Sequence, residues 1–290
     1  MKLRISPLLI AVPALLALGA CQSSGQEIGG KPRESQPVVE YISLSPSTTE
    51  LLQSAGIPLA KMLGRSESCD WPTQISGCPV VVKGTTPDFE KIASLKPQRV
   101  ILEKNLYSDS TIQKLKDLGL DVLVVDIKTP KDYDQTVATL ARDAGSETNA
   151  SLYLDKVYGA KSLLIGSIES DMKLAVIIGD EVGGFYIAGK NTLLGQYVQQ
   201  SSGEFLGPDS NKFEPVGIEE ILRLDPNIII TQLGDGSKML KSQKMNPIEA
   251  ISKRNVLEVE PDVLLRNGGR VDQLLEGIAT GIGRVERKGE

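Results

Sequence analysis

The segment 87–101 recurs in pattern at 216–230: Glu90 matches Glu219, Ile92 matches Ile221, Leu95 matches Leu224, Pro97 matches Pro226 and Ile101 matches Ile230. In each copy, apolar residues at helical spacing lead through a proline into a short apolar run of strand type. A unit of this kind cannot bury its own apolar stripe. Its reuse therefore predicts two equivalent lobes with a carboxylate at the same place on each.

The rest of the chain fits that scheme. Strands are expected at 38–44, 80–82, 99–102 and 121–125, with helices at 49–55, 88–95 and 109–118 between them. After Leu44 the turn Ser45-Pro46-Ser47 opens a helix, and Ser47 and Glu50 have capping-box spacing. The second half repeats the alternation, with strands at 173–179, 227–231 and 256–259 and helices at 193–200, 218–224, 247–252 and 270–282. Such alternation predicts an α/β protein of two Rossmann-like lobes, each a mostly parallel sheet covered by helices. Ligands of open α/β sheets bind beyond the carboxyl ends of the strands, so the site is expected in a cleft between the lobes.

Between the lobes, Ala150, Leu154, Val157, Tyr158, Lys161, Leu164, Ile165 and Ile168 recur at intervals of three and four. One amphipathic helix over 147–171 is predicted, roughly 35 Å long at 1.5 Å per residue, enough to join the lobes as a single rigid connection. The alternative is a helix belonging wholly to one lobe.

Lys2 and Arg4 precede an apolar run that ends in Leu18-Gly19-Ala20-Cys21. The run is short for a membrane span and reads as an export signal. Its end resembles the lipobox of bacterial lipoproteins, which implies removal of 1–20, a lipid on Cys21 and a tether over 21–36. The N-terminal lobe would then occupy 37–146 and the C-terminal lobe 172–290, with the membrane reached through the lipid alone. In an exported chain Cys69 and Cys78 are expected to form a disulfide, the alternative being two buried thiols.

The chain contains no histidine. That removes Ser-His-Asp and Cys-His catalysis, His-rich zinc sites and His-ligated haem. A net charge of −5 with mixed signs provides no basic stripe for nucleic acid. There is no Gly-x-Gly-x-x-Gly turn after the first strand and no Walker loop, so a nucleotide-dependent enzyme is not expected. No metal site and no resident cofactor are predicted, and the chain is expected to be a monomer.

The run Tyr41-Ile42-Ser43-Leu44-Ser45-Pro46-Ser47-Thr48-Thr49-Glu50, then Cys69-Asp70-Trp71-Pro72, Asp88-Phe89-Glu90, Tyr186-Ile187-Ala188-Gly189-Lys190-Asn191-Thr192 and Leu264-Leu265-Arg266-Asn267-Gly268-Gly269-Arg270 form an ordered set. It resembles the periplasmic substrate-binding proteins for cobalamin, ferric siderophores and haem over essentially the whole mature chain. The resemblance implies a ligand held between the lobes and delivered to the paired permease subunits and ATPases of an ABC importer. It also implies that Glu90 and Glu219 dock onto the permease. Helical spacing agrees: each glutamate lies on the side away from its apolar stripe. The competing role is complementing the helix dipole.

For the ligand, Trp71 and Tyr186 are the candidate aromatic contacts, with packing inside its own lobe the alternative for Trp71 and Phe185 the competitor of Tyr186. Ser45, Thr85, Lys104, Asn105 and Gln232 are candidates because side chains at strand ends reach such clefts, although capping is an alternative role for each. Arg266 could meet an anionic group or form a structural ion pair. Lys83-Gly84-Thr85 lacks the aromatic that many relatives carry there, and aromatics are only 4% of the chain, which disfavours haem. Cobalamin, which brings its own metal, is the favoured ligand, followed by a ferric siderophore and then haem. An interaction lipoprotein and an enzyme are the competing classes.

Overall fold

A computed structural model describes residues 39–289. The first sheet contains β1 (Tyr41–Ser43), β2 (Met62–Ser66), β3 (Val80–Lys83), β4 (Thr86–Pro87), β5 (Arg99–Glu103) and β6 (Val122–Val125). Their order is β4-β3-β2-β1-β5-β6, all parallel except the short edge strand β4. Helices α1 (Pro46–Ser54), α2 (Phe89–Ser94), α3 (Asp109–Asp117) and α4 (Pro130–Ala144) belong to this lobe.

Local chemistry sets several helix starts. Ser45 caps α1 by accepting from Thr48 N at 3.4 Å, with Pro46 in the first turn. The cap is thus two residues earlier than the Ser47–Glu50 spacing suggests, which leaves Glu50 free of any capping role. Asp88 caps α2, Ser108 caps α3, and Thr129 with Asp132 forms a full capping box on α4.

The connecting helix α5 (Glu147–Ser167) is shorter at its end than the sequence pattern predicts. It buries Ala150, Val157, Ala160 and Leu164, whereas Tyr158 is exposed. It packs on α4 and α1 of the first lobe and lies along α11 (Val271–Gly289) of the second.

The second sheet contains β7 (Lys173–Asp180), β8 (Gly184–Ala188), β9 (Glu204–Leu206), β10 (Phe213–Val216), β11 (Ile228–Gln232) and β12 (Val256–Val259). The order is β10-β8-β7-β11-β12, with β9 beside the start of β7. β8 and β10 run antiparallel, so this sheet is mixed. Around it lie α6 (Leu193–Val198), α7 (Ile218–Leu224), α8 (Asp235–Met239), α9 (Glu249–Ser252) and α10 (Pro261–Leu264).

The sequence repeat is also a backbone repeat. α2 into β5 and α7 into β11 are equivalent helix–strand units, and each helix ends in a left-handed residue just before the shared proline, Lys96 (φ 49°) and Asp225 (φ 44°). Ile92 and Ile221 are fully buried at matching positions. Their side chains enter separate cores, one on the outer face of each sheet. A third core runs continuously from Tyr41, Leu51 and Tyr133 through Val157 and Leu164 of α5 to Val176, Leu275 and Ile278. This shared core joins the lobes through α5 and α11, an arrangement that resists large lobe closure because sliding would expose close-packed apolar surface.

Candidate functional site

Asn105, just beyond β5, faces the second lobe across an open hollow whose cavity volume is about 190 Å³. The opposite wall carries Val176, Ala188 and Phe213 from the sheet, Thr192, Asn211, Lys212 and Leu265 from loops, and Asn267 after α10. The volume is below the roughly 300–1,000 Å³ usual for small-molecule sites, so the hollow is an open recess and a larger ligand would extend out of it into the space between the lobes. Its polar lining is three carboxamides with Thr192, Tyr197 and Lys212, and Lys212 pairs loosely with Glu214 at 3.6 Å. Three carboxamides and a single ammonium on an apolar floor suit a weakly charged ligand better than a polyanion.

Among the sequence candidates, only Asn105 lines this hollow. Tyr186 is 42% exposed and opposite Ile178 and Pro215 in the ladders, on the same face as Ala188 and Phe213 because side chains alternate along a strand. It therefore extends the wall outward. Phe185 points to the other side and is buried in the outer core.

Other candidates have different jobs. Ser45 is fully buried, capping α1 within a cluster of hydroxyls that includes Ser43, Ser47, Thr48 and Thr49. Thr85 sits exposed in the β3–β4 turn. Lys104 pairs with Asp109, and Gln232 Nε2 donates to Asp235 Oδ2 at 2.8 Å. Cys21 lies outside the described residues.

Arg266 is not free to meet an anion. Its Nη1 donates to Asp70 Oδ1 at 2.7 Å and to Glu50 Oε1 at 3.1 Å, and Nη2 pairs with Asp262 at 2.6 Å. Of the two alternatives open in the sequence, the structure takes the ion pair. Trp71 is half-buried at this junction, with the Arg270 guanidinium 5.8 Å from its ring centroid.

The expected disulfide is absent: Cys69 and Cys78 are both free thiols. Cys69 is buried with its Sγ 3.1 Å from Thr49 Oγ1, whereas the half-buried Cys78 donates to the Met62 carbonyl at 3.4 Å. Each sulfur has its own partner, and burial pushes both thiols up from their ordinary pKa.

At the end of β5, Glu103 reaches the Ser45 and Ser47 hydroxyls. Burial pushes its carboxyl above the ordinary glutamate range, with the nearby Glu50 charge adding to the effect, while the two hydroxyls oppose it. Asp70 and Asp262 share Arg266. Burial disfavours the charge on both, yet hydrogen bonding to Arg266 holds Asp70 low, and Asp262 is raised by burial and by its contact with Asp70.

Glu90 and Glu219 are both exposed on the outer sides of α2 and α7, and among the described residues neither is taken up by an ion pair, unlike the adjacent Glu220, which is bound by Arg223. Among the described residues no helix is long and apolar enough to cross a membrane, and no group of three or more His, Cys, Asp or Glu could hold a metal.

Sequence reasoning missed Asn211, Lys212, Phe213 and Asn267 of the hollow, and Glu50, Asp70 and Arg270 of the ion cluster. Asn267, Glu50, Asp70 and Arg270 sit inside the family-like motifs, so a signal existed. Asn211 and Lys212 read only as a polar turn.

The family model described as periplasmic binding protein matches residues 42–263. An ABC transporter substrate-binding lipoprotein of Bacillus subtilis, YvrC, is 25% identical over 84% of this chain and 79% of its own length. The vitamin B12-binding protein of Salmonella typhimurium is 26% identical over 70% of this chain and 75% of its own. Among solved structures, the periplasmic vitamin B12-binding protein BtuF of Vibrio cholerae superposes with a TM-score of 0.74 at 19% identity, covering 87% of this chain and 99% of that one. The periplasmic haem-binding protein BhuT, in complex with two haems, gives 0.72 at 13% identity over 86% of this chain and 99% of its own. These structures have the same two-lobed fold. With three quarters of its length matched by the family model, this chain belongs to the periplasmic binding protein family.

Proposed function

We propose that this chain is the lipid-anchored substrate-binding component of an ABC importer, and that it carries a corrinoid of the cobalamin type between its lobes. The observation that carries the ligand class is the lining of the interlobe hollow: Asn105, Asn211 and Asn267 over an apolar floor, with Lys212 the one cationic side chain in that lining. Carboxamides can pair with the amide groups on the rim of a corrinoid, while an anionic siderophore complex or a haem with two carboxylates would call for several arginines. Arg266 and Arg270, on either side of Asn267 in sequence, are already committed to Glu50, Asp70 and Asp262. The names of the Salmonella and Vibrio relatives point the same way.

In this reading the chain binds and delivers rather than catalyses, and the ligand brings its own metal. Glu90 and Glu219 meet the paired permease subunits, and a lipid on Cys21 holds the chain at the membrane, as the lipoprotein name of the Bacillus relative suggests. Thermal unfolding of the purified protein with cyanocobalamin, haem and a ferric siderophore tests the assignment. A ligand at about 100 times its dissociation constant adds about 2.7 kcal/mol of stability. A shift with cyanocobalamin alone is expected; a shift with haem or the siderophore instead overturns the ligand, and no shift with any overturns the transport reading.

A further inference from the structure

One carboxylate oxygen ties the two lobes together beside the hollow. Glu50, on α1 of the first lobe, is 1% exposed, and its Oε1 accepts from Arg266 Nη1 at 3.1 Å and from Arg270 Nη2 at 2.6 Å. Both arginines belong to the segment between α10 and α11 of the second lobe. The intervening Gly268 and Gly269 let that segment lie flat on α1: a Cβ at either would run into Glu50, and at Gly269 into Ser54 as well. Ser54 Oγ donates to the Gly269 carbonyl at 2.8 Å and Tyr133 to the Gly268 carbonyl at 2.7 Å.

Those two backbone contacts and the shared core already fasten the lobes, and the arginines reach further than fastening requires. Arg266 forms a two-pronged bond to Asp70, 2.7 Å and 3.2 Å, although Asp70 is 49% exposed on a loop. Arg270 lies over the ring of the next residue, Trp71, at 5.8 Å, just inside the ~6 Å reach of a cation–π attraction. A planar guanidinium bonded through two nitrogens fixes direction as well as distance. Both second-lobe arginines thus act on one first-lobe dipeptide, and Glu50 is the counter-charge they share.

We propose that Glu50, Arg266 and Arg270 form a positioning unit through which the second lobe sets the orientation of Trp71 at the junction of the lobes before any ligand arrives. Arg266 orients the loop through Asp70, Arg270 orients the indole, and Glu50 orients both arginines. A benefit to ligand capture rests on the proposed function and on a bound ligand reaching from the hollow to Trp71; the orientation itself rests on neither, and is measured on the ligand-free protein.

Trp71 is the only tryptophan, so emission excited at the red edge, beyond tyrosine absorption, reports on it alone. Emission maximum, anisotropy and acrylamide quenching are measured on the ligand-free chain and on E50Q, R266K, R270K and D70N. Lysine retains the positive charge but loses the planar fork, so charge alone does not rescue the geometry. The expected result is a red shift, lower anisotropy and greater quenching in E50Q, R266K and R270K. D70N, altered at an exposed residue, is expected to share the loss of anisotropy and keeps the test open if E50Q does not fold. Wild-type emission, anisotropy and quenching in the folded variants overturn the proposal. Altered emission together with no binding of cyanocobalamin, haem or ferric siderophore by the wild type would sustain the positioning unit and sink the transport reading alone.

Discussion

Arg270 Nη2 and the buried Oε1 of Glu50 meet at 2.6 Å across the junction of two lobes that the shared core has already fastened. Removing one side of a buried pair strands the other, at a cost of about 3–5 kcal/mol. E50A is expected to lose stability of that order, read as a lower urea midpoint, because two guanidinium groups are left facing an empty position. Alanine at Glu220, whose bond to Arg223 is exposed, is expected to change the midpoint little.

Glu103 gives the protein a pH dependence of definite sign. Its carboxyl is raised in the folded chain, first by burial, above the ordinary value of 4.5. A raised acid favours the folded state below the ordinary value, and this contribution is lost as pH rises through the folded value. E103Q, which cannot ionise, is therefore expected to be more stable than wild type at neutral pH, with the difference shrinking toward pH 4. Urea denaturation across that range checks it; an equal gap at both ends would assign the effect to packing instead.

Thiol labelling separates the two cysteines. With burial raising both and Cys69 the more enclosed, iodoacetamide is expected to modify Cys78 first under native conditions, followed by mass spectrometry of the peptides. Resistance of both until a reductant is added would restore the disulfide.

The repeat made the fold legible. Apolar spacing around Ile92 and Ile221 located both helix–strand units, and the periodicity from Ala150 to Leu164 located α5. β8 and β10 escaped because a short antiparallel strand such as Phe213–Val216, broken by Pro215, carries little alternation. The site was less readable for a related reason. Strand-end position nominated Ser45 and Gln232, which bond locally as a cap and to Asp235, while the actual lining came from turns and a sheet face brought together only by tertiary packing. Glu50 looked like half of a capping box; nothing local says that its partners lie on the other lobe.

Glu90 and Glu219 lie exposed on equivalent helices and have no ion-pair partner among the described residues. Reversing both, E90R with E219R, is expected to abolish uptake in cells carrying the importer while leaving ligand affinity at wild-type level. Unimpaired uptake by the double variant would return both residues to a local role at their helix starts.

The cleft itself is tested most directly by calorimetric titration of cyanocobalamin into the purified chain, beside N105A/N267A. One saturable site per chain is expected for the wild type, with the double variant weakened because it removes two of the carboxamides lining the hollow. A heat-silent titration in which ligand and protein also fail to co-elute on gel filtration, or full-strength binding by the double variant, would contradict a cobalamin-type ligand held between the lobes.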